Sequence, residues 1–293
     1  MIEPEIKQIM SLGRKEQQRM LLASVTRLNR QYTVAGNRTA NIVLTSKGKT
    51  LQETLFGVEQ TVKELSASVS RTVQQNVTSS VNLGLSKTLD TAEIYTTKVV
   101  FDMRSEEFIE LSRRLTDAAE TTVDGIKLSG KIWDINQVAL SNMRQAVITD
   151  LIDQTPLNVT AQKMKKLLIS PDSDMRTKKW RLFFKENPPG RGVYRSAAKN
   201  AQRVLVTESN RAYRLGTTAY SQGKDWIRSN KWNRSGSPAD CPICNELATQ
   251  DLYGLGPGHY PPGNAPSTPH PWCECYITIE PLDEFRVDQI NVA

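Results

Sequence analysis

Every cysteine and both histidines of this chain fall inside 35 residues, 241–275: CPICNELATQDLYGLGPGHYPPGNAPSTPHPWCEC. No other part of the 293-residue chain carries either residue type. A terminal segment this small and loop-rich cannot bury much core, and such modules often add a metal ion or disulfides. Cys241 and Cys244 form a C-x-x-C pair, a spacing that lets one tight turn aim two thiolates at a single ion. After twenty-five intervening residues, His270, Cys273 and Cys275 supply donors that would tie the two ends of the loop together. Thiolate and imidazole donors in a closed tetrahedron are the usual structural set of Zn²⁺, so one zinc ion per chain is the expected cofactor.

There are five candidates for four positions. Cys241, Cys244 and Cys275 are expected in the site, with His270 and Cys273 competing for the fourth place. Cys273 and Cys275 stand at i and i+2, which on a strand points both to one side. His259 sits in the Gly/Pro-rich middle of the loop and is expected to face solvent. The competing reading is two disulfides, for which four cysteines allow three pairings. The N-terminus MIEPEIKQIMSLGRKEQQRM lacks the basic start, apolar middle and cleavage site of a secretory leader, which argues against an oxidising compartment.

A catalytic zinc keeps an open position and a general base. A zinc deaminase needs H-x-E ahead of its C-x-x-C, and no histidine precedes Cys241. H-E-x-x-H, the P-loop and G-x-S-x-G are also missing. Glu246 and Glu274 lie near the ligands only in sequence. The chain is expected not to be an enzyme.

The first two-thirds reads as helix. Leu51, Leu55, Val58, Val62, Leu65 and Val69 recur at 4, 3, 4, 3, 4, a heptad-like seam that Val73 and Val77 prolong. A helix with one narrow apolar stripe needs a partner helix, in the same chain or in a second copy docked along 51–77. Turn residues in NLGLSKTLDTAE (82–93) predict a break. SEEFIELSRRL predicts a helix capped by Ser105. Gly125 and the Ser129–Gly130 pair mark a boundary. Trp133, Val138, Met143, Val147 and Leu151 outline the apolar face of the following helix. A small helix begins near Asn158 or Thr160, ENPPGRG is a loop, and a long helix ends near Gly223. Alternation around Trp226, Arg228, Asn230 and Trp232 predicts a strand, and Tyr276, Ile277 and Ile279 a second. The fold class expected is therefore mainly α. It has a helical N-terminal region (1–124), a helical basic middle region (125–223) and a small α+β zinc-stapled C-terminal module (224–293).

The net charge of +7 is unevenly spread. Residues 161–204 hold twelve Lys/Arg against three acids, an excess of nine, which leaves the remainder at −2. Lys163, Lys165, Lys166, Lys178, Lys179, Arg181, Arg191 and Arg195 are the candidates for gripping phosphates without reading sequence. A solvated helix surface would carry similar charge.

With these residues in place, the stretch 128–282 resembles the phage head-morphogenesis, or minor head protein, family, the group typified by the F protein of phage Mu. The resemblance rests on an ordered set: a helix with a TE step (Thr207, Glu208), a Trp-containing strand (KDWIRSNKW), CPIC, a Gly/Pro-rich loop, and HPWCEC. Glu274 departs from the basic residue usual between the last two cysteines. The resemblance implies a structural role in virion assembly at the portal vertex or inner capsid, with portal or major capsid protein as partner. It also implies contact with packaged double-stranded DNA, and a location in the virion after a period in the host cytoplasm. Glu208 is expected to brace the terminal module through Arg211 or Arg214. Trp226, Trp232 and the loop 252–269 are candidates for a docking surface, against core packing around the zinc. A DNA-binding module and a zinc-dependent hydrolase or nuclease are the competing functions.

Overall fold

The computed structural model describes residues 2–95, 106–121, 125–169, 196–235, 241–267 and 269–282. Among them are seven helices: α1 (Ile2–Leu44), α2 (Leu51–Tyr95), α3 (Glu106–Glu120), α4 (Leu128–Ile152), α5 (Leu157–Ile169), α6 (Ala197–Ser221) and α7 (Pro242–Thr249). Three strands, β1 (Ile227–Asn233), β2 (His259–Tyr260) and β3 (Tyr276–Pro281), form one antiparallel sheet in the order β2-β1-β3. The chain is thus mainly helical with a small C-terminal sheet. No described helix is long and apolar enough to cross a membrane.

The chain forms two compact units, neither continuous in sequence. One comprises Met1–Leu22, Gln74–Gly125 and Leu205–Ala293; the other Ala23–Val73 and Ile126–Val204. The compact units therefore interleave along the chain instead of following it in order.

In the second unit the start of α2 is set by a capping box. The Glu53 N–H donates to Thr50 Oγ1 at 3.1 Å, and the Glu53 carboxylate accepts from the Thr50 N–H at 2.7 Å. Val58, Val62, Leu65, Val69 and Val73 are then buried, each no more than 4 % exposed. Their partner helix is the chain's own α1: Gln31 donates to Ser68 Oγ at 2.7 Å and to Thr72 Oγ1 at 3.0 Å. From Val58 to Val73 the seam is thus covered within the chain, while Leu51 at its start is exposed. A buried polar chain crosses this core, with Tyr32 donating to Asn136 at 2.8 Å and Asn136 to Ser66 Oγ at 3.1 Å. Fully satisfied buried bonds of this kind tie helices to one register.

The apolar face of α4 differs from the expected one. Leu128, Ile132, Ala139, Leu140, Met143, Ala146 and Val147 are buried, while Trp133, Val138 and Leu151 are exposed. Trp133, Val138 and Met143 step by five residues, which leaves the face of a 3.6-residue helix. Ser129 and Gly130 lie within the first turn of α4, not in a boundary. α5 begins at Leu157, ahead of both expected caps: the Pro156 carbonyl accepts from Val159 and Thr160, and Thr160 is buried inside the helix.

In the first unit α2 runs straight through the break expected at 82–93. Gly84 is there for a different reason. A Cβ on Gly84 would stand 2.3 Å from the Tyr213 carbonyl oxygen, and one on Gly216 would stand 2.4 Å from that of Val81. The two glycines let the backbones of α2 and α6 touch. Beside this crossing Gln17 donates to Ser80 Oγ and the Ser209 carbonyl, at 3.0 and 3.3 Å. The start of α6 belongs to the second unit, where Ser196 opens it by accepting from the Lys199 N–H at 3.2 Å.

Candidate metal centre

The C-x-x-C pair is built by the start of α7. Cys241 is its N-cap, with Sγ accepting from the Cys244 N–H at 3.4 Å, and Pro242 occupies the first turn, where its missing N–H costs nothing. Three residues of helix then bring both sulfurs to one side. The second group of donors lies in 270–275, a segment without regular structure that α6 holds in shape. Thr207 Oγ1 accepts from the Trp272 N–H at 3.0 Å, and Asn210 donates to the Cys273 carbonyl at 3.0 Å. Arg214 donates to the carbonyls of Ser267 and Cys275, both at 2.7 Å. These three side chains, spaced three and four apart, share one face of α6. Trp272 between them takes a left-handed φ of 63°, an unusual conformation for a bulky residue.

All five expected donors converge as two triads that share Cys244. One is Cys241, Cys244 and His270; the other is Cys244, Cys273 and Cys275. His270 Nε2 stands 3.1 Å from Cys241 Sγ and 3.0 Å from Cys244 Sγ, and the Cys244 and Cys273 sulfurs are 3.7 Å apart. A tetrahedral zinc with bonds of about 2.3 Å to sulfur and about 2.0 Å to nitrogen separates its donors by about 3.5–3.8 Å. His270 Nδ1 lies 2.7 Å from the Pro271 carbonyl oxygen, which can only accept. The proton is therefore on Nδ1, and the Nε2 lone pair faces the sulfurs, the orientation a metal-binding histidine needs. The residues present fit a metal ion.

None of the four cysteines is in a disulfide. The Cys273 thiol donates to Cys275, which holds Cys275 down at about 5 and, with burial, pushes Cys273 far up. Burial also pushes Cys244 up to about 12. Thiols in such surroundings do not all ionise unless a cation replaces their protons. The cysteines double as core: Cys244, Cys273 and Cys275 pack with Trp232, Tyr260, Ala265 and Ile277.

Other expected residues fall elsewhere. His259 lies in β2, outside the donor cluster, but it is not free in solvent: it is half-buried and bonded through Nδ1 to Ser229 Oγ at 2.8 Å. Glu274 turns away from the sulfurs to pair with Arg14 of α1, whose guanidinium also bonds the Glu274 carbonyl and lies 4.9 Å over the Tyr276 ring. Glu208 pairs with Arg211 at 2.7 Å, and Arg211 donates to the carbonyls of Ala119 and Thr121. That pair ties α6 to the end of α3; the terminal module is held by Thr207, Asn210 and Arg214 instead. Trp226 and Trp232 are buried, 4 % and 2 % exposed, so they pack rather than dock, while Leu252 and Tyr253 of the loop are exposed.

Of the basic candidates, Lys163 is committed to Asp150, and Lys165 and Lys166 are half-buried on α5. Lys178, Lys179, Arg181, Arg191 and Arg195 lie outside the described residues, as do Ser105 and the ENPPGRG loop. Sequence reasoning offered Arg214 only as a partner for Glu208 and did not place it beside the cysteines, because an arginine inside a helix ordinarily faces water. Comparison with protein-family models, with curated proteins and with solved structures finds no match.

Proposed function

We propose that this chain is a structural protein of the phage minor head type, which binds the portal or the inner capsid wall during virion assembly and carries one structural zinc. The observation that supports it best is the convergence of Cys241, Cys244, His270, Cys273 and Cys275 beside the Thr207–Glu208 helix. These are the residues on which the resemblance to the minor head proteins rests. The donors are tied into a core with Trp232 and Ile277, and a closed, buried ion of this kind acts as a staple. The set proposed is Cys241, Cys244, His270 and Cys273, because the Cys273 sulfur stands at the tetrahedral spacing from Cys244; it departs from the sequence expectation, which placed Cys275 in the site. Packaged DNA is proposed as a further partner of the basic stretch 163–203.

The role is tested by coexpressing the chain with the portal and major capsid proteins of one phage genome that encodes it. Recovery of the chain on assembled heads, and heads lost or malformed when it is omitted, is the expected result. Normal heads formed without it and carrying none of it would refute the assignment. The DNA contact predicts a steep fall of affinity with salt, removed when Lys178, Lys179 and Arg181 are reversed.

A further inference from the structure

We infer that a cleft at the α1–α2 turn docks a tryptophan of a protein partner, presented between acidic residues. The cleft has a volume of about 420 Å³ and lies wholly within the second unit, to which the metal donors do not belong. Its lining comes from the end of α1, the start of α2, the end of α4 and the start of α5. Val43, Thr54, Val147, Asp150 and Thr160 are buried at its floor, each no more than 7 % exposed. Leu51, Leu151 and Leu157 stand at its rim, 37, 61 and 38 % exposed. A concave surface with aliphatic walls left open to water is the kind that takes a large apolar side chain.

The polar groups say which side chain that is. Asp150 is 4 % exposed; its Oδ1 pairs with Lys163 of α5, while Oδ2 is buried with no hydrogen-bond partner among the described residues. Two neighbouring hydroxyls do not serve it, since Ser46 donates to the Val43 carbonyl at 2.7 Å and Thr54 to that of Thr50 at 3.1 Å. A buried carboxylate oxygen without a donor is unfavourable, and a donor carried in by a ligand relieves it. That donor has to be neutral. Lys163 already balances the charge of Asp150, and Lys47 and Lys49, exposed on the lining, repel a cation.

An indole meets each condition. It offers a large apolar area, about 150–250 Å², and its one polar group is an N–H that donates and cannot accept. A phenyl ring would bring no donor, and a phenol would bring an oxygen that needs a donor of its own. Tryptophan is also among the residue types that anchor protein interfaces when seated in a desolvated pocket. The lysines set what flanks it. Residues 23–52 hold five Lys/Arg and no acid, and Glu53, which bears on Lys49, already accepts from the N–H and hydroxyl of Thr50. Carboxylates on either side of the partner's tryptophan would meet Lys47 and Lys49 and fix its orientation.

The test titrates the full chain with the fluorescein-labelled peptide EDWDE and its analogues EDFDE and KKWKK, read by anisotropy and by methyl NMR. The result expected is saturable binding of EDWDE that moves the methyl signals of Val43, Leu51, Val147, Leu151 and Leu157. EDFDE, which lacks the N–H, should bind about 10-fold more weakly. KKWKK should bind more weakly than EDWDE to the wild type. Lys47→Glu/Lys49→Glu, which changes two exposed residues, should invert that order. No saturable binding of EDWDE up to about 1 mM overturns the inference, as do methyl shifts confined to other parts of the chain. Equal affinity for EDWDE and EDFDE overturns it too, because Asp150 Oδ2 then needs no donor from a partner. Tighter binding of KKWKK to the wild type would make the cleft a cation site and equally overturn it.

Discussion

Glu208 and Arg211 are both buried, and each is the other's charge partner on α6. Removing one member of such a pair leaves an uncompensated buried charge, which costs about 3–5 kcal/mol, whereas removing both costs less. Arg211→Met should therefore lower unfolding stability by about that amount, and Glu208→Gln/Arg211→Met should recover part of it in denaturant titrations. His259 makes a second prediction. Burial, and then the charges of Lys231 and Arg228, hold His259 below its ordinary value of 6.5. The neutral ring is the form that suits the fold, so its contribution is complete above 6.5 and is lost as pH falls through the lower folded value. In proton NMR the His259 imidazole should titrate below 6.5. A His259 midpoint at or above 6.5 would contradict this environment. The donors were legible because cysteine and histidine are scarce and clustered. Arg214 was not: composition cannot distinguish a guanidinium facing sulfur from one facing water.

Helices raise a related difficulty, because spacing tells which residues share a face but not what that face meets. The seam Val58–Val77 was legible through its strict repeat. Its partner was not: α1 buries the widely spaced Leu28, Tyr32 and Ala35 and sets the polar Gln31 against Ser68 and Thr72. Gly84 reads as a turn residue, yet it sits in mid-helix because α6 passes within a methyl group's width. Gly84→Ala and Gly216→Ala should each cost about 1–3 kcal/mol through overpacking against backbone that cannot yield. Gly130→Ala in α4 is the control: its Cβ would meet only an Ile126 side chain at 3.5 Å. There the gain in helix propensity should stabilise by about 0.5–1 kcal/mol. Thermal unfolding of the three variants checks all these signs. The face of α4 was misread for a physical reason as well: large apolar residues were weighted over phase, although Asn136 and Ala139 face inward and Val138 does not.

At the scale of the whole chain, the metal module belongs to a unit that also contains the start of α1, the end of α2, α3 and most of α6. A linear reading sees consecutive segments, because the crossing at Gly84 and Gly216 and the Arg14–Glu274 pair are contacts between residues far apart in sequence. Chelation should therefore loosen more than residues 241–275. Hydrogen exchange should rise over 227–281 and at the Thr207–Arg214 face of α6, while α4 and α5 of the other unit keep their protection. The central claim, that a metal staples this module, is tested most directly by metal content. Freshly purified, reduced full-length chain supplied with zinc should carry about one ion, as a single closed four-ligand site requires. The Cys244→Ser variant, which removes the donor common to both triads, should carry none. A wild-type chain without metal under those conditions would contradict the account.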